Sequence, residues 1–267
     1  LHTDGSPMVI PVVVHILYNT AEQNISDAQV HSQIDVLNKD YAATNSDISQ
    51  VPSPFKSVIG NSNINFCLAT RTPPGNYTTG IERRYTTVTS FASTNDPRLK
   101  IYSSGGLDSW DRDHYLNIWV CSMPPSLLGY TDLWGSPTQY DGCTINYKAF
   151  GTTGPLFANY NRGHTATHEI GHWLGLTHIW GDDVGCTGSD NCSDTPNQDS
   201  ATYGCPSFPK TDDCSPNYPG IMFMNYMDYT DDRCMYMFTL CQASIMNAIL
   251  DTARFAILTS NGCEIGR

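Results

Sequence analysis

The chain has 267 residues, of which 40% are hydrophobic and 15% charged, and this balance excludes the intrinsically disordered class. Its formal net charge of −12 argues against nucleic acid and against anionic membranes as partners. The longest apolar run, Met8 to Leu17, is interrupted by Pro11 and His15 and is shorter than the roughly 18 residues of a membrane-spanning helix. We therefore expect a soluble globular protein, with one domain over 1–267 because no repeat or low-complexity linker divides the chain.

The first predicted elements are a strand and a helix. The segment 8–18 is rich in β-branched residues and predicts a buried strand, with Pro11 near an edge or a bulge. Ser26 to Gln29 has the spacing of a helix-capping box, and apolar residues then recur at helical intervals, which predicts an amphipathic helix over 27–43. A strand followed by a helix indicates an α/β start.

Further strands and two helices follow along the chain. Strand patterns lie at 64–70, 116–123 and 142–147, and the last of these is predicted at a sheet edge. A helical pattern covers 163–176, and a last amphipathic helix is predicted over 240–258. Between these helices, from 181 to 219, lies a turn-rich stretch without periodicity, so disulfides, ions or both must order it.

The last third of the chain combines cysteines with acidic residues. Seven of the ten cysteines lie there: Cys186, Cys192, Cys205, Cys214, Cys234, Cys241 and Cys263. No C-x-x-C pair occurs, which disfavours a cysteine metal site and favours disulfides formed in an oxidising compartment. Between Asp182 and Asp232 there are ten Asp, no Glu and one Lys, so most of the net negative charge lies in this segment.

The first residues lack the charged and apolar regions of a signal peptide. We therefore expect the mature form of a secreted, extracellular protein whose precursor carried a leader and a pro-segment. Sequons at Asn24, Asn76 and Asn191 would carry glycans only in a eukaryotic secretory pathway.

The most informative segment runs from His168 to His178 and reads H-E-x-x-H-x-x-G-x-x-H. Residues four apart share one face of a helix, so His168 and His172 can direct imidazole nitrogens at one ion, with Glu169 beside it. Gly175 can adopt a positive φ and end the helix, which brings His178 back as a third nitrogen ligand. Three histidines leave an open position for water, as catalytic zinc sites do.

Five specified residues at fixed spacing on a predicted helix are far more informative than a bare H-E-x-x-H, which occurs by chance in unrelated proteins. One catalytic Zn²⁺ is therefore predicted. The remaining histidines have no comparable pattern and are expected in the core or on the surface: His2, His15, His31, His114 and His164.

The extended motif resembles that of the metzincin metallopeptidases, in which a methionine-containing turn lies beneath the zinc. Asn225-Tyr-Met-Asp-Tyr229 fits that turn, with Met227 under the metal. HEIGHWLGLTHIWGD, the later Asp194-Thr-Pro196, and NYMDYTDD followed by Cys234 together resemble the pappalysin family, in particular its small bacterial members. The similarity covers most of the chain, including IPVVVHILYN near its start.

The resemblance implies an α/β (α+β) metzincin-like fold of two subdomains. The N-terminal subdomain, about 1–177, would hold a twisted mixed sheet, a backing helix and the active-site helix. The C-terminal subdomain, about 178–267, would be irregular, stabilised by disulfides and calcium, and would end in the last helix. The active-site cleft would lie between the two subdomains.

The resemblance also implies a zinc-dependent endopeptidase that acts as a monomer on proteins or peptides. Zinc held by His168, His172 and His178 would activate a water for attack on the peptide carbonyl. Glu169 would act as general base and later return the proton to the leaving amine. Tyr229, two residues after the methionine of the turn, is implied to stabilise the oxyanion.

One or more Ca²⁺ ions are implied in the acidic segment, where solvated aspartates are the alternative. By resemblance, Asp190, the Ser193 carbonyl and Thr195 match a calcium site of the bacterial members. Further candidate ligands are Asp182, Asp183 and Asp194.

Two disulfides are implied by position, Cys186 with Cys214 and Cys205 with Cys234. The remaining cysteines allow 15 pairings, among which the sequence does not choose. They are Cys67, Cys121, Cys143, Cys192, Cys241 and Cys263.

The residues after the methionine turn bear on substrate preference. Small bacterial members cut before Arg or Lys, a preference attributed to an Asp in the pocket wall at the position of Arg233. A guanidinium there would repel a basic side chain, so a non-basic residue is expected after the cut. Asp231 and Asp232 are adjacent and offer the alternative, in which they pair with Arg233 or form an acidic wall.

Two other functions compete with a secreted peptidase. A non-catalytic adhesion or binding domain that retains the fold would be expected to lack a ligand or Glu169, and the chain has lost none of them. A zinc peptidase of another clan, with a glutamate as third ligand, is disfavoured by His178 and by the methionine turn.

Overall fold

The computed structural model describes residues 6–92, 94–183 and 185–264. Its strands are β1 (Met8–Tyr18), β2 (Ile64–Leu68), β3 (Ile81–Tyr85), β4 (Leu116–Cys121), β5 (Gly129–Asp132), β6 (Gly142–Asn146), β7 (Tyr203–Gly204) and β8 (Tyr229–Thr230). Its α-helices are α1 (Asp27–Tyr41), α2 (Pro97–Lys100), α3 (His164–Trp173) and α4 (Leu240–Asp251).

β1 lies at the centre of a six-stranded sheet. It pairs in parallel with β2 and β3 on one side and with β4 on the other, while β6 continues the sheet in parallel beyond β4. β5 closes the sheet as an antiparallel edge strand. β1 is covered on both faces of the sheet, so most of its side chains are buried. This accounts for its continuous apolar run. Pro11 lies at a local edge, as predicted, since pairing with β4 begins at Val12.

α1 and α3 pack on each other, α1 against β2 and α3 against β5 and β6. The predicted cap is present: the Ser26 hydroxyl accepts a hydrogen bond from the Gln29 N–H at 3.2 Å. At the other end of α1, the buried Tyr41 hydroxyl donates to the carbonyl oxygen of Thr167 at 3.0 Å. This bond and the apolar face of α1 fix the position of α3 over the sheet.

The predicted α/β class, the mixed sheet, its helices and the C-terminal helix are confirmed, but two strands of the main sheet, β3 and β5, and the two-residue strands β7 and β8 were missed. The segment 142–147 is not at an edge, because β6 lies between β4 and β5. β5, with the sequence GYTD, and β3, with the sequence IERRY, carry too few apolar residues to show a strand pattern. The last helix ends at Asp251 and is followed by a 3₁₀ segment, Phe255–Thr259.

The irregular C-terminal part is ordered by disulfides and by a second, smaller core, to which Val51 and Phe55 of the N-terminal part also contribute. The structure contains the pairs Cys186–Cys214 and Cys205–Cys234 that the resemblance implies, together with Cys192–Cys241 and Cys67–Cys263. Cys121 and Cys143 are buried free thiols in β4 and β6, so not all ten cysteines are paired. The separate core consists of Val51, Phe55, Ile179, Ile221, Met222, Phe223, Met224 and Met237. In the part of the chain that is described, no helix has both the length and the hydrophobicity of a membrane span.

Candidate active site

The three histidines of the extended motif converge at the end of α3. His168 and His172 lie one turn apart, and the Nε2 atom of His172 is 3.0 Å from Nε2 of His168 and 3.0 Å from Nε2 of His178. Gly175 adopts a φ of 89°, which ends the helix and returns the chain towards the site. A side chain at Gly175 would also collide with Ile249 of α4, so both backbone conformation and space require glycine.

The opposite nitrogen of each ring is held by an oxygen. His168 Nδ1 lies 2.7 Å from the Tyr226 carbonyl oxygen, His172 Nδ1 lies 2.8 Å from the Leu176 carbonyl oxygen, and His178 Nδ1 contacts the Asp182 carboxylate. A carbonyl oxygen only accepts hydrogen bonds, so in His168 and His172 Nδ1 carries the proton and Nε2 keeps its lone pair. This donor set fits a zinc ion with three nitrogen ligands.

The ring environments favour neutral imidazoles. Burial, together with the neighbouring His172 and His178, lowers the pKa of His168 well below its usual range. Burial and His178 lower the pKa of His172 to about 4. Neutral rings are the form that binds a metal ion.

Glu169 lies beside the histidines on α3 and is only 8% exposed. The Thr131 hydroxyl lies 2.7 Å from Glu169 Oε2 and donates to it. Burial raises the pKa of the Glu169 carboxyl to about 7, against the effect of that hydrogen bond. A carboxyl with this pKa can exchange a proton near neutral pH, as a general base must.

The methionine turn packs beneath α3. Met227 is fully buried, and its sulfur lies where a side chain at Gly171 would be, so the glycine admits Met227 close to the helix. The Asn225 side-chain oxygen accepts a hydrogen bond from the Met227 N–H at 2.9 Å, and Gln242 of α4 holds the Asn225 amide in turn. The turn is thus fixed to both α3 and α4.

Tyr229 stands next to the histidines at the surface of the site. Its ring centroid is 5.5 Å from that of His168 and 4.9 Å from that of His178, and the residue is 36% exposed. Burial raises its pKa to about 12, so the phenol stays protonated and can donate a hydrogen bond at neutral pH.

Comparison with known proteins agrees with this geometry. Residues 106–251 match peptidase family M43, described as Pregnancy-associated plasma protein-A. An extracellular metalloprotease of Arthroderma benhamiae is 31% identical over 241 residues, which cover 89% of this chain and 75% of that protein. The chain belongs to the pappalysin family of metallopeptidases.

Solved pappalysin structures have the same fold. Mature mirolysin of Tannerella forsythia, in complex with a cleaved peptide, has a TM-score of 0.92 and 49% identity, covering 95% of this chain and 96% of that one. A mutant of promirolysin from the same organism has the same TM-score and identity, with 85% of its chain covered. The family and these neighbours identify the chain as a zinc metalloendopeptidase, and nothing favours a non-catalytic role.

A cavity of about 310 Å³ adjoins the pappalysin site. Residues of α3, of β5 and of the segment after the methionine turn line it, among them His168, Glu169, Gly129, Tyr229 and Asp232. His164, which sequence reasoning assigned to the core or the surface, is buried and also lines this cavity.

The surroundings of Arg233 bear on the expected substrate preference. Its side chain is 63% exposed, its Nε lies 3.7 Å from Asp231 Oδ2, and among the described residues neither of the two lines the cavity. Asp232 lines the cavity. Its Oδ2 accepts a hydrogen bond from the Arg162 N–H at 2.7 Å, which orients the carboxylate towards the start of α3. The alternative of an acidic wall therefore fits better.

The candidate calcium ligands differ in the contacts that their side chains make. Thr195 Oγ1 lies 2.8 and 2.9 Å from the two carboxylate oxygens of Asp190, whose pKa is raised by burial. Asp194 Oδ1 is buried without a hydrogen-bond partner. Asp182 contacts the His178 ring through one carboxylate oxygen, Oδ1. The Thr187 hydroxyl donates to Asp183 at 3.1 Å.

Thr131 and Gly129 were missed by sequence reasoning. Both lie on β5, and their proximity to Glu169 depends on the pairing of β5 with β6. The sequence of β5 does not show the pattern of apolar residues that predicts a strand, so it carries no local signal for either residue.

Proposed function

We propose that this zinc endopeptidase uses His168, His172 and His178 as zinc ligands and Glu169 as general base, in a cleft between an N-terminal and a C-terminal subdomain. The observation that carries the proposal is the convergence of three Nε2 atoms beside a buried carboxylate, where His168 and Glu169 also line a cavity. Zinc in such a site supplies Lewis-acid activation of water and of the peptide carbonyl.

The residues around the site have separate roles in the proposal. Glu169 takes the proton of the attacking water and passes it to the leaving amine. The Tyr229 hydroxyl donates to the oxygen that becomes negative in the transition state. Because β5 is the last strand of the sheet among the described residues, its outer edge can bind an extended substrate through main-chain hydrogen bonds.

The proposal also includes secretion and a precursor with a pro-segment. The extracellular relatives and the four disulfides support secretion, and the promirolysin neighbour supports a pro-segment.

Hydrolysis of casein is expected to require the metal. Zinc content should be one ion per chain, a chelator should abolish cleavage, and dialysis followed by added zinc should restore it. Atomic absorption and a casein assay test this directly. Full cleavage by metal-free protein would contradict the proposed function.

A basic residue is expected immediately after the scissile bond, because the cavity has an acidic residue, Asp232, in its wall. Asp232→Asn should lower the ratio of kcat/KM for Arg over Leu at that position by about tenfold or more, the value of a charged hydrogen bond. Arg233→Ala is the matched control and should leave the ratio unchanged. A peptide library dominated by acidic residues after the cut would refute this preference.

Calcium is proposed to bind at Asp190, Thr195 and the Ser193 carbonyl, with Asp194 nearby. Binding at 100 times Kd stabilises a protein by about 2.7 kcal/mol, so a calcium chelator in zinc buffer should lower the Tm and expose residues 185–219 to autolysis. Asp190→Asn should remove this calcium effect, whereas Asp35→Asn on the exposed face of α1 should retain it. Equal melting curves with and without calcium would rule the site out.

A further inference from the structure

The edge strand β5 reaches the general base through one side chain. In the antiparallel pairing with β6, Thr131 lies opposite Cys143, and its hydroxyl meets α3 at Glu169. Side chains alternate along a strand, so the neighbours Tyr130 and Asp132 point to the other face of the sheet. Thr131 is therefore the residue of β5 that connects the strand to the catalytic helix.

The Thr131 hydroxyl lies between two oxygens of one residue. Its Oγ1 is 2.7 Å from the Glu169 carboxylate atom Oε2 and 2.8 Å from the Glu169 carbonyl oxygen. An ionised carboxylate only accepts hydrogen bonds, so the single hydroxyl proton is directed at Oε2 when the base is ready to react. Among the described residues no other side chain donates to this carboxylate.

Gly129 restricts Glu169 from the same strand. A methyl group at Gly129 would lie 2.9 Å from Glu169 Cγ and 3.1 Å from Oε1, so the side chain already packs on the bare backbone of β5. β5 thus limits where the aliphatic part of the Glu169 side chain can lie, while Thr131 fixes the rotation of the carboxylate.

β5 is itself held from the opposite face of the sheet. The fully buried Lys100 donates to Asp132 Oδ2 at 2.5 Å and to the Tyr140 carbonyl oxygen at 3.1 Å. Its ammonium also lies 4.4 Å from the centre of the Trp119 ring. The four-residue edge strand is thereby held at Asp132, the residue after Thr131.

We infer that Thr131 is a positioning residue for the peptidase reaction: its hydroxyl holds Oε2 of Glu169 so that Oε1 faces the attacking water. The inference rests on the proposed role of Glu169 as general base. A misplaced general base lowers the rate of the chemical step while substrate binding is retained.

Thr131→Val keeps the shape of the side chain and removes the hydroxyl. We expect kcat to fall about tenfold, with KM within about twofold of wild type and zinc content unchanged. Thr131→Ser should restore kcat to within about threefold because it retains the hydroxyl. Thr144→Val is the matched control, since Thr144 is buried on β6 opposite Tyr130, on the face away from Glu169.

A double-mutant cycle separates this role from a structural one. In a Glu169→Ala background, Thr131→Val should cost almost nothing further, because the group it positions is gone. An equal loss with and without Glu169, or a Thr131→Val enzyme with wild-type kcat, would overturn the inference. If Glu169→Ala itself retains activity, the proposed function fails, whatever Thr131 does.

Discussion

Glu169→Ala is expected to lower peptide hydrolysis by about 100-fold or more while leaving the fold and the zinc in place. The proposed zinc ligands are three Nε2 atoms, and Glu169 is not among them, so metal binding is not expected to depend on it. The loss should appear in kcat because proton transfer belongs to the chemical step.

We expect that Glu169→Ala does not lower the stability of the folded protein. Burial raises the pKa of Glu169 from 4.5 to about 7, so the folded protein holds the proton more tightly than the unfolded chain, and ionisation of the carboxyl opposes folding increasingly between these two pH values and fully above the higher one. Removing it should not lower the Tm in neutral buffer. A fluorogenic peptide, metal analysis and calorimetry give the three readouts, and Glu22→Ala at the surface is the control. Activity near wild type would refute the assignment.

His178→Ala is expected to remove most of the bound zinc and with it the activity, since two histidines on one helix turn do not complete a catalytic site. Asp182→Asn should have a smaller effect, about 10- to 100-fold in zinc affinity, because it weakens the acceptor for the His178 ring without removing a ligand. Competition with a chromophoric chelator measures both affinities.

His31→Ala is the matched control for these variants, because His31 is exposed on α1 and remote in sequence from the motif. Its zinc affinity should equal that of wild type. Wild-type affinity in His178→Ala would remove His178 from the ligand set, and wild-type affinity in Asp182→Asn would show that the carboxylate contact is without effect on the metal.

The sequence by itself determined the elements that have a strong apolar pattern and the residues whose relations are local. The apolar pattern of β1 predicts burial on both of its faces, and that of α1 predicts a helix. The four residues from Ser26 to Gln29 predict the N-cap. His168, Glu169 and His172 come together because helix geometry alone sets their spacing. Gly175 extends this local relation to His178 through one positive φ.

Contacts between residues that are distant in the sequence were decided by the tertiary structure alone. Thr131 reaches Glu169 only because β5 pairs with β6, and the sequence GYTD gives no sign of that edge strand. Asp232 rather than Arg233 lines the cavity because hydrogen bonds from the start of α3 orient its carboxylate. A shift of one residue along the chain reverses the charge presented to a substrate, and long-range packing that no local pattern records decides which residue faces the cavity.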